Sequence, residues 1–390
     1  GAGRWLTRQM KSNGEKKDQL LASIKQSKKG MPRPSKIDLE NKKNEYLNFI
    51  TEKQPQQKPS IVKVYNWGDL EYKHKGINFD INMFTAELEL RRTVQEVFVT
   101  EQRDENGQVI LNEKDKPVMG PMKMTWEERV KAFVPSTSAN YINSRKSGGA
   151  LGWLLEETNF LDGLRKPGGR LNVEHHENPN EEITSDEYFD GAIHVDETDF
   201  KRAFETLWVR VLKHTVTEVP NAAPVALAEP LKVRMITKGP PGLMTLMRNY
   251  WKVIHSKMRQ HRVFQLIGKP VNETILMEVL GNSELKYNEY FLSGDYEAAT
   301  DNLHSWVSNI IADEIGNVLQ LGNMEKAFLK RSLTEHQFST GPQKTGQLMG
   351  SITSFTTLCL ANATVCRWAM EIAQNNVIKL DDARMLINGD

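Results

Sequence analysis

Three carboxylates stand where phosphoryl chemistry would use them. Tyr290-Phe291-Leu292-Ser293 reads as a strand that delivers Asp295 at its C-terminal end. Asp301 follows just before the helical pattern that begins at Leu303. Asp390 stands after Met385-Leu386-Ile387, a short apolar strand entering a turn that Asn388-Gly389 permits. Two acids brought by neighbouring strands suit hard divalent cations, which take oxygen ligands. Two such ions activate an attacking hydroxyl and neutralise a leaving pyrophosphate. Taken singly, Asp295 is equally an Asx-turn residue and Asp301 equally a helix cap. The chemical reading rests on the set rather than on either residue.

Other positions supply complementary chemistry. Lys232 and Arg234 alternate along a short strand and so share one face, and Lys238 extends the basic edge. The planar guanidinium fork suits phosphate oxygens; a basic edge strand guarding itself from aggregation is the ordinary alternative. Gly350 sits in a loop ahead of an apolar helical stretch in which Ser351, Ser354 and Asn362 are small polar residues. Arg145 and Lys146, beside Gly148-Gly149, are placed to touch backbone phosphates or simply to solvate a loop, and their order is not that of a P-loop. Arg248, Lys252, Lys257, Arg259 and Arg262 line one helix, either a polynucleotide channel or a wet surface. His175-His176 is not a metal pair: adjacent histidines point apart, and no Cys or His stands at zinc spacing.

These residues need a scaffold of 390 residues, enough for two or three units with a large core. Apolar residues make up 39% and charged ones 26%, with no run near the roughly 20 residues of a membrane span and no secretory h-region at the start. Cys359 and Cys366, seven apart on one expected helix, imply reduced thiols and a reducing compartment. Net charge is +1, but residues 1–60 carry about eight more Lys/Arg than Asp/Glu and read as a basic, loosely ordered arm with one or two short helices. Glu174 to Glu205 is acidic. A hairpin is expected at Asn106-Gly107 between Val97-Val99 and Val109-Leu111, and a helix from the Thr125 cap to Phe133. Further helices are expected at Phe200–His214, Leu246–Arg262, Leu303–Leu321 and Ser351–Ala373.

The string Ser293-Gly294-Asp295-Tyr296-Glu297-Ala298-Ala299-Thr300-Asp301-Asn302-Leu303 is similar to motif A of viral RNA-dependent RNA polymerases, in the form used by the narnavirus, mitovirus and ourmia-like (botourmiavirus) groups. Residues 346–362 resemble their motif B, 386–390 the start of motif C, and 229–241 motif F, in the family's order. The resemblance covers roughly residues 125–390.

It implies an α+β, right-hand polymerase fold: the arm at 1–60, fingers within 61–289, and at 290–390 a partial palm whose antiparallel sheet is backed by helices, with the thumb absent. It implies that Asp295 and Asp390 hold two Mg²⁺, replaceable by Mn²⁺. Lys232, Arg234 and Lys238 would steady the triphosphate. Asp301, Gly350, Ser351, Ser354 and Asn362 would bind substrate, with Asp301 and Ser354 reading the ribose 2′-hydroxyl. Arg145 and Lys146 would touch RNA weakly. The partners are RNA template and product and NTPs, and the activity is RNA-directed RNA polymerisation replicating a positive-sense viral genome. The location expected is the host cytoplasm, with the mitochondrion as the alternative. The chain stops one residue inside a Gly-Asp-Asp turn, so it is expected to be inactive as it stands. The rivals are a reverse transcriptase or maturase, disfavoured by Asn388-Gly389-Asp390, and a non-catalytic RNA-binding relic.

Overall fold

The structure is a computed structural model and describes residues 31–52, 83–157, 197–281 and 292–389. Helix α1 (Lys36–Thr51) starts at a reciprocal cap: Asp38 N–H donates to Ser35 Oγ at 3.2 Å and Ser35 N–H to Asp38 Oδ2 at 2.8 Å. Such a box satisfies donors that a helix start leaves free. α1 buries Tyr46, Leu47 and Ile50. Over this stretch the basic arm carries one of its expected helices, longer than a short one and docked against a second core. What its Lys, Glu and Asn content conceals is the apolar stripe, one helical turn long, that docks it.

Helix α2 (Met83–Phe98) runs into β1 (Val99–Glu101), which pairs antiparallel with β2 (Met119–Pro121). The expected turn at Asn106-Gly107 is present, with Asp104 Oδ1 accepting from Asn106 and Gln108 N–H and Gly107 at φ +79°. Val97 and Phe98, however, end the helix rather than begin the hairpin, because both are needed in the core. Thr125 caps a helical turn as expected, but that turn closes at Arg129 instead of Phe133. Helices α3 (Gly149–Glu157) and α4 (Glu197–Thr217) follow.

The basic strand has an antiparallel partner: β3 (Ala223–Glu229) pairs along its whole length with β4 (Lys232–Lys238), around a Pro230-Leu231 turn with Leu231 at φ +66°. Helix α5 (Pro241–Gln260) begins with proline, whose missing N–H costs nothing there. The Glu218 carboxylate accepts from Gly242 and Leu243 N–H at 3.0 and 2.8 Å and so caps that helix end. The chain continues through α6 (Glu273–Leu280), a helical turn at Ala299–Asn302, α7 (Ser305–Val318), α8 (Asn323–Thr334), the short pair β5 (Gln337–Phe338) and β6 (Gly341–Pro342), and α9 (Ser354–Gln374).

The architecture is mixed α and β, with three two-stranded antiparallel sheets among the described residues. The main core joins α2, α4, α5, α7, α8 and α9 through residues such as Val94, Leu207, Tyr250, Ile311, Leu329 and Leu360. A second core gathers Tyr46, Leu47 and Ile50 of α1 with Ala222, Phe338 and Leu348, and with Met235 of β4.

Among the described residues, two expected strands are not seen. Residues 292–296 are exposed and irregular, Leu292 being 99% exposed, while Tyr290 and Phe291 lie outside the described residues. Met385 and Ile387 are buried, yet Ile387 N–H bonds Val263 O at 2.9 Å rather than a strand. A strand exists only where a neighbour takes its backbone groups, and among the described residues neither segment has one. The acidic stretch to Asp190 and His175-His176 lie outside the described residues.

A buried ion network fixes the approach to Gly389. Arg367 of α9 is fully buried and pairs with Glu89 and Glu96 of α2. Arg92 reaches Glu371 at 2.9 Å and Ile378 O at 2.8 Å. Glu371 also accepts the Ile378 N–H at 2.7 Å, and Glu96 the Leu380 N–H. Removing one partner of a buried pair strands the other's charge, at about 3–5 kcal/mol. Glu371→Ala should lower unfolding free energy by about 3 kcal/mol and speed amide exchange at Ile378. Unchanged exchange with a loss below about 1 kcal/mol would show that the network is incidental.

Candidate active site

The loop at 346–350 is the hub of the site. Gly346 N–H donates to Leu303 O at 3.1 Å and Gln347 N–H to Thr300 O at 2.8 Å, binding the loop to the Ala299–Asn302 turn. Gly346 has φ +70°, and a Cβ there would lie 2.6 Å from Asp301 O and 2.9 Å from Ile50 Cδ1. On its other side Gly350 N–H donates to Thr237 Oγ1 at 2.9 Å. A Cβ on Gly350 would stand 1.8 Å from Thr237 O, which no packing adjustment absorbs cheaply. The loop is thus in direct contact with both the basic hairpin and the Asp301 turn.

Asn362 of α9 joins the remaining two segments. Its Oδ1 accepts from Tyr296 OH at 3.3 Å, and its Nδ2 donates to Gly389 O at 3.2 Å. Gly389 N–H in turn donates to Cys359 Sγ at 3.2 Å, and Gly389 adopts φ +100°. Tyr296 follows Asp295 and Gly389 precedes Asp390, so the neighbours of both expected metal ligands meet on one buried amide. Asp295 itself is exposed, and Asp390 lies outside the described residues. No group of three or more His, Cys, Asp or Glu that could hold a metal occurs among the described residues. Mg²⁺ does not need one: it keeps several waters and takes one or two carboxylates plus substrate phosphates. The donor chemistry fits.

Ser354 and Asp301 share no hydrogen bond. Ser354 is buried and donates to Gln347 Oε1 at 2.7 Å, while Gln347 Nε2 donates to Ser308 Oγ at 2.7 Å. Gln347 therefore stands between Ser354 and the Asp301 turn. Ser351 is also buried and donates to Ser332 O at 2.6 Å. Burial pushes the Asp301 carboxyl up to about 6, against the opposing pull of the Thr300 hydroxyl, 3.4 Å away, and of the Lys42 ammonium. Burial raises the Tyr46 phenol, and the Asp301 carboxylate raises it further. Sequence reasoning did not single out these two α1 residues. The usable signal was the i, i+4, i+8 spacing of Lys42, Tyr46 and Ile50.

The cations divide by what they touch. Lys232 and Arg234 are exposed on one face of β4, both facing Glu229, at 3.7 and 2.6 Å. Lys238 is half-buried at the strand end next to Thr237. Arg145 and Lys146 are exposed in a 3₁₀ turn. Their loop is joined to the end of β4, since Tyr141 N–H donates to Gly239 O at 2.9 Å. Of the basic helix residues, Arg248 stacks over Trp251 at 4.6 Å, and Lys252 sits 5.1 Å from the Phe133 ring. Arg262 falls beyond the end of α5, in a 3₁₀ turn (Arg262–Phe264) rather than in the expected helix, and donates to the carbonyls of Asp381, Glu278 and Val279.

The four segments so gathered are those whose strings resemble viral RNA-dependent RNA polymerases. In particular, the chain is similar to the RNA-dependent RNA polymerase of Ourmia melon virus (isolate Melon/Iran/VE9), 28% identical over 313 residues that cover 71% of this chain and 33% of that protein. This bears out the resemblance to a viral RNA-dependent RNA polymerase of the ourmia-like group. The chain spans about a third of the length of the relative it matches. No family model matches the chain, and no solved structure matches it.

The Asp301 carboxyl binds its proton more tightly in the folded chain, at about 6, than at the ordinary 3.8. The folded state therefore holds an extra proton between about pH 4 and pH 6, and stability falls as pH rises through that window. Asp301→Asn removes the charge. It should raise the thermal midpoint at pH 8, by an amount corresponding to at most about 3 kcal/mol, and give no gain at pH 4. An equal effect at both pH values would show that the buried charge is not its cause.

Proposed function

We propose that this chain carries the nucleotidyl-transfer centre of an RNA-dependent RNA polymerase, adding NTPs to an RNA 3′ end on an RNA template. The proposal includes the right-hand fold, with fingers and part of the palm, and replication of a positive-sense genome in the host cytoplasm. One observation carries it: Asn362 binds both Tyr296 and Gly389, the neighbours of the two expected metal ligands. A structural asparagine has no need to link these two segments, whereas a two-metal centre must bring its carboxylates together.

Asp295 and Asp390 are the residues that would hold two Mg²⁺, for which Mn²⁺ can stand in. Such ions, when bound, would supply activation of the 3′-hydroxyl and charge neutralisation at the departing pyrophosphate. The protein's own groups do the positioning. Lys232 and Arg234 now neutralise Glu229 at the surface. Exposed pairs of this kind contribute only about 0–1 kcal/mol, so a triphosphate displaces the carboxylate at little cost. Lys238 stands at the end of the same strand, beside the residue that contacts Gly350. The Asp301 carboxylate is the acceptor for a ribose hydroxyl. Ser354, acting through Gln347, sets the position of the turn that carries it. Arg145 and Lys146 offer exposed charge to template phosphates.

Asp295→Asn in the intact protein should reduce primer extension on an RNA template by on the order of 10³-fold or more, because charge stabilisation at the transferring phosphoryl group is the dominant catalytic effect. Activity retained within about tenfold would overturn the assignment of Asp295.

A further inference from the structure

One face of α1 is turned toward the Asp301 turn. Lys42, Tyr46 and Ile50 stand at successive i, i+4 positions and so form one row along the helix. The C-terminal end of that row is fixed against the site. Ile50 Cδ1 and the Asp301 carbonyl crowd the same point beside Gly346, and Ile50 O accepts the Lys344 N–H at 2.8 Å. Tyr46 shares the second core with Leu348 of the central loop. Tyr46 is 5% exposed, yet its hydroxyl has no hydrogen-bond partner among the described residues. A buried hydroxyl left unpaired is costly, so its presence calls for an acceptor. The nearby charge is that of Asp301, which acts on the Tyr46 phenol and is itself acted on by Lys42.

We infer that α1 forms one wall of the ribose subsite, with Tyr46 and Lys42 as positioning residues that hold the Asp301 carboxylate toward the ribose hydroxyls of the incoming nucleotide. A bound ribose that turns the carboxylate gives the phenol its missing acceptor. Lys42 is about half exposed and paired with Glu45 at 2.9 Å, a solvated contact it exchanges for Asp301 at little cost. Neither residue makes or breaks a bond. Their effect is on which sugar is accepted, because a site built around a hydroxyl penalises the analogue that lacks it.

The inference rests on the polymerase reading, and one experiment separates the two. Primer extension by the intact protein gives the ratio of kcat/KM for NTP to that for dNTP. It is measured for wild type, Asp301→Ala, Tyr46→Phe, Lys42→Gln and Lys42→Arg. Asp301→Ala should collapse the ratio. Tyr46→Phe and Lys42→Gln should each narrow it about tenfold, through KM for NTP, and Lys42→Arg should preserve it. Tyr46→Phe deletes one unbonded oxygen, so its melting midpoint should equal or exceed that of wild type and keep the comparison free of misfolding. An unchanged ratio in Tyr46→Phe or in Lys42→Gln, with a collapsed ratio in Asp301→Ala, overturns the inference and leaves the polymerase reading standing. An unchanged ratio in Asp301→Ala, or no incorporation by wild type, overturns both.

Discussion

The carbonyl of Thr237 leaves no room for a side chain at position 350, and much of the site follows from that. Because Gly350 has no Cβ, the end of β4 and the central loop lie backbone against backbone, with the Thr237 hydroxyl accepting the Gly350 N–H. The loop's other end is held as tightly, since Gly346 fits between Ile50 and the Asp301 carbonyl. The two glycines set the spacing between a basic hairpin and an acidic turn. Opposite charges held a fixed distance apart suit a substrate with a polyanionic end and a polar sugar.

Around that contact the protein separates rigid parts from adjustable ones. Ser351, Ser354, Gln347 and Asn362 are buried and hydrogen-bonded, so they define the loop and the start of α9. Lys232, Arg234 and Asp295 are exposed and free to change partners. Asp301 lies between these classes. Its burial raises the carboxyl to about 6, against the weaker opposing pulls of the Thr300 hydroxyl and the Lys42 ammonium. The ion network of Arg92, Glu371, Arg367 and Glu96 does the same for the far side, fixing residues 378–380 ahead of Gly389.

Much of this was legible in the sequence. The helices of the main core carry regular apolar spacing, and α4, α5, α7 and α9 lie where that spacing puts them. Gly350 and Asn362 were legible as candidates, but that the amide of Asn362 joins two segments was not. A short helix was legible in the basic arm, but the docking of α1 was not, because its polar composition dominates a three-residue apolar stripe. The strands expected at Ser293 and Ile387 were read from local pattern, but pairing is a long-range property that local pattern does not fix. Ser354 shows the same limit: residue type marks it as polar and buried, while its partner Gln347 emerges only from the folded loop.

The central claim is that the segments bearing Asp295 and Asp390 meet at one cation site beside the central loop. Iron-directed cleavage tests it most directly. Fe²⁺ takes the place of Mg²⁺, ascorbate and peroxide generate hydroxyl radicals at the bound ion, and the cut positions are read by mass spectrometry. The account predicts cuts next to Asp295 and next to Gly389, both suppressed by excess Mg²⁺ and both lost in Asp295→Asn. Cuts at only one of the two segments, or a pattern indifferent to Mg²⁺, would contradict it.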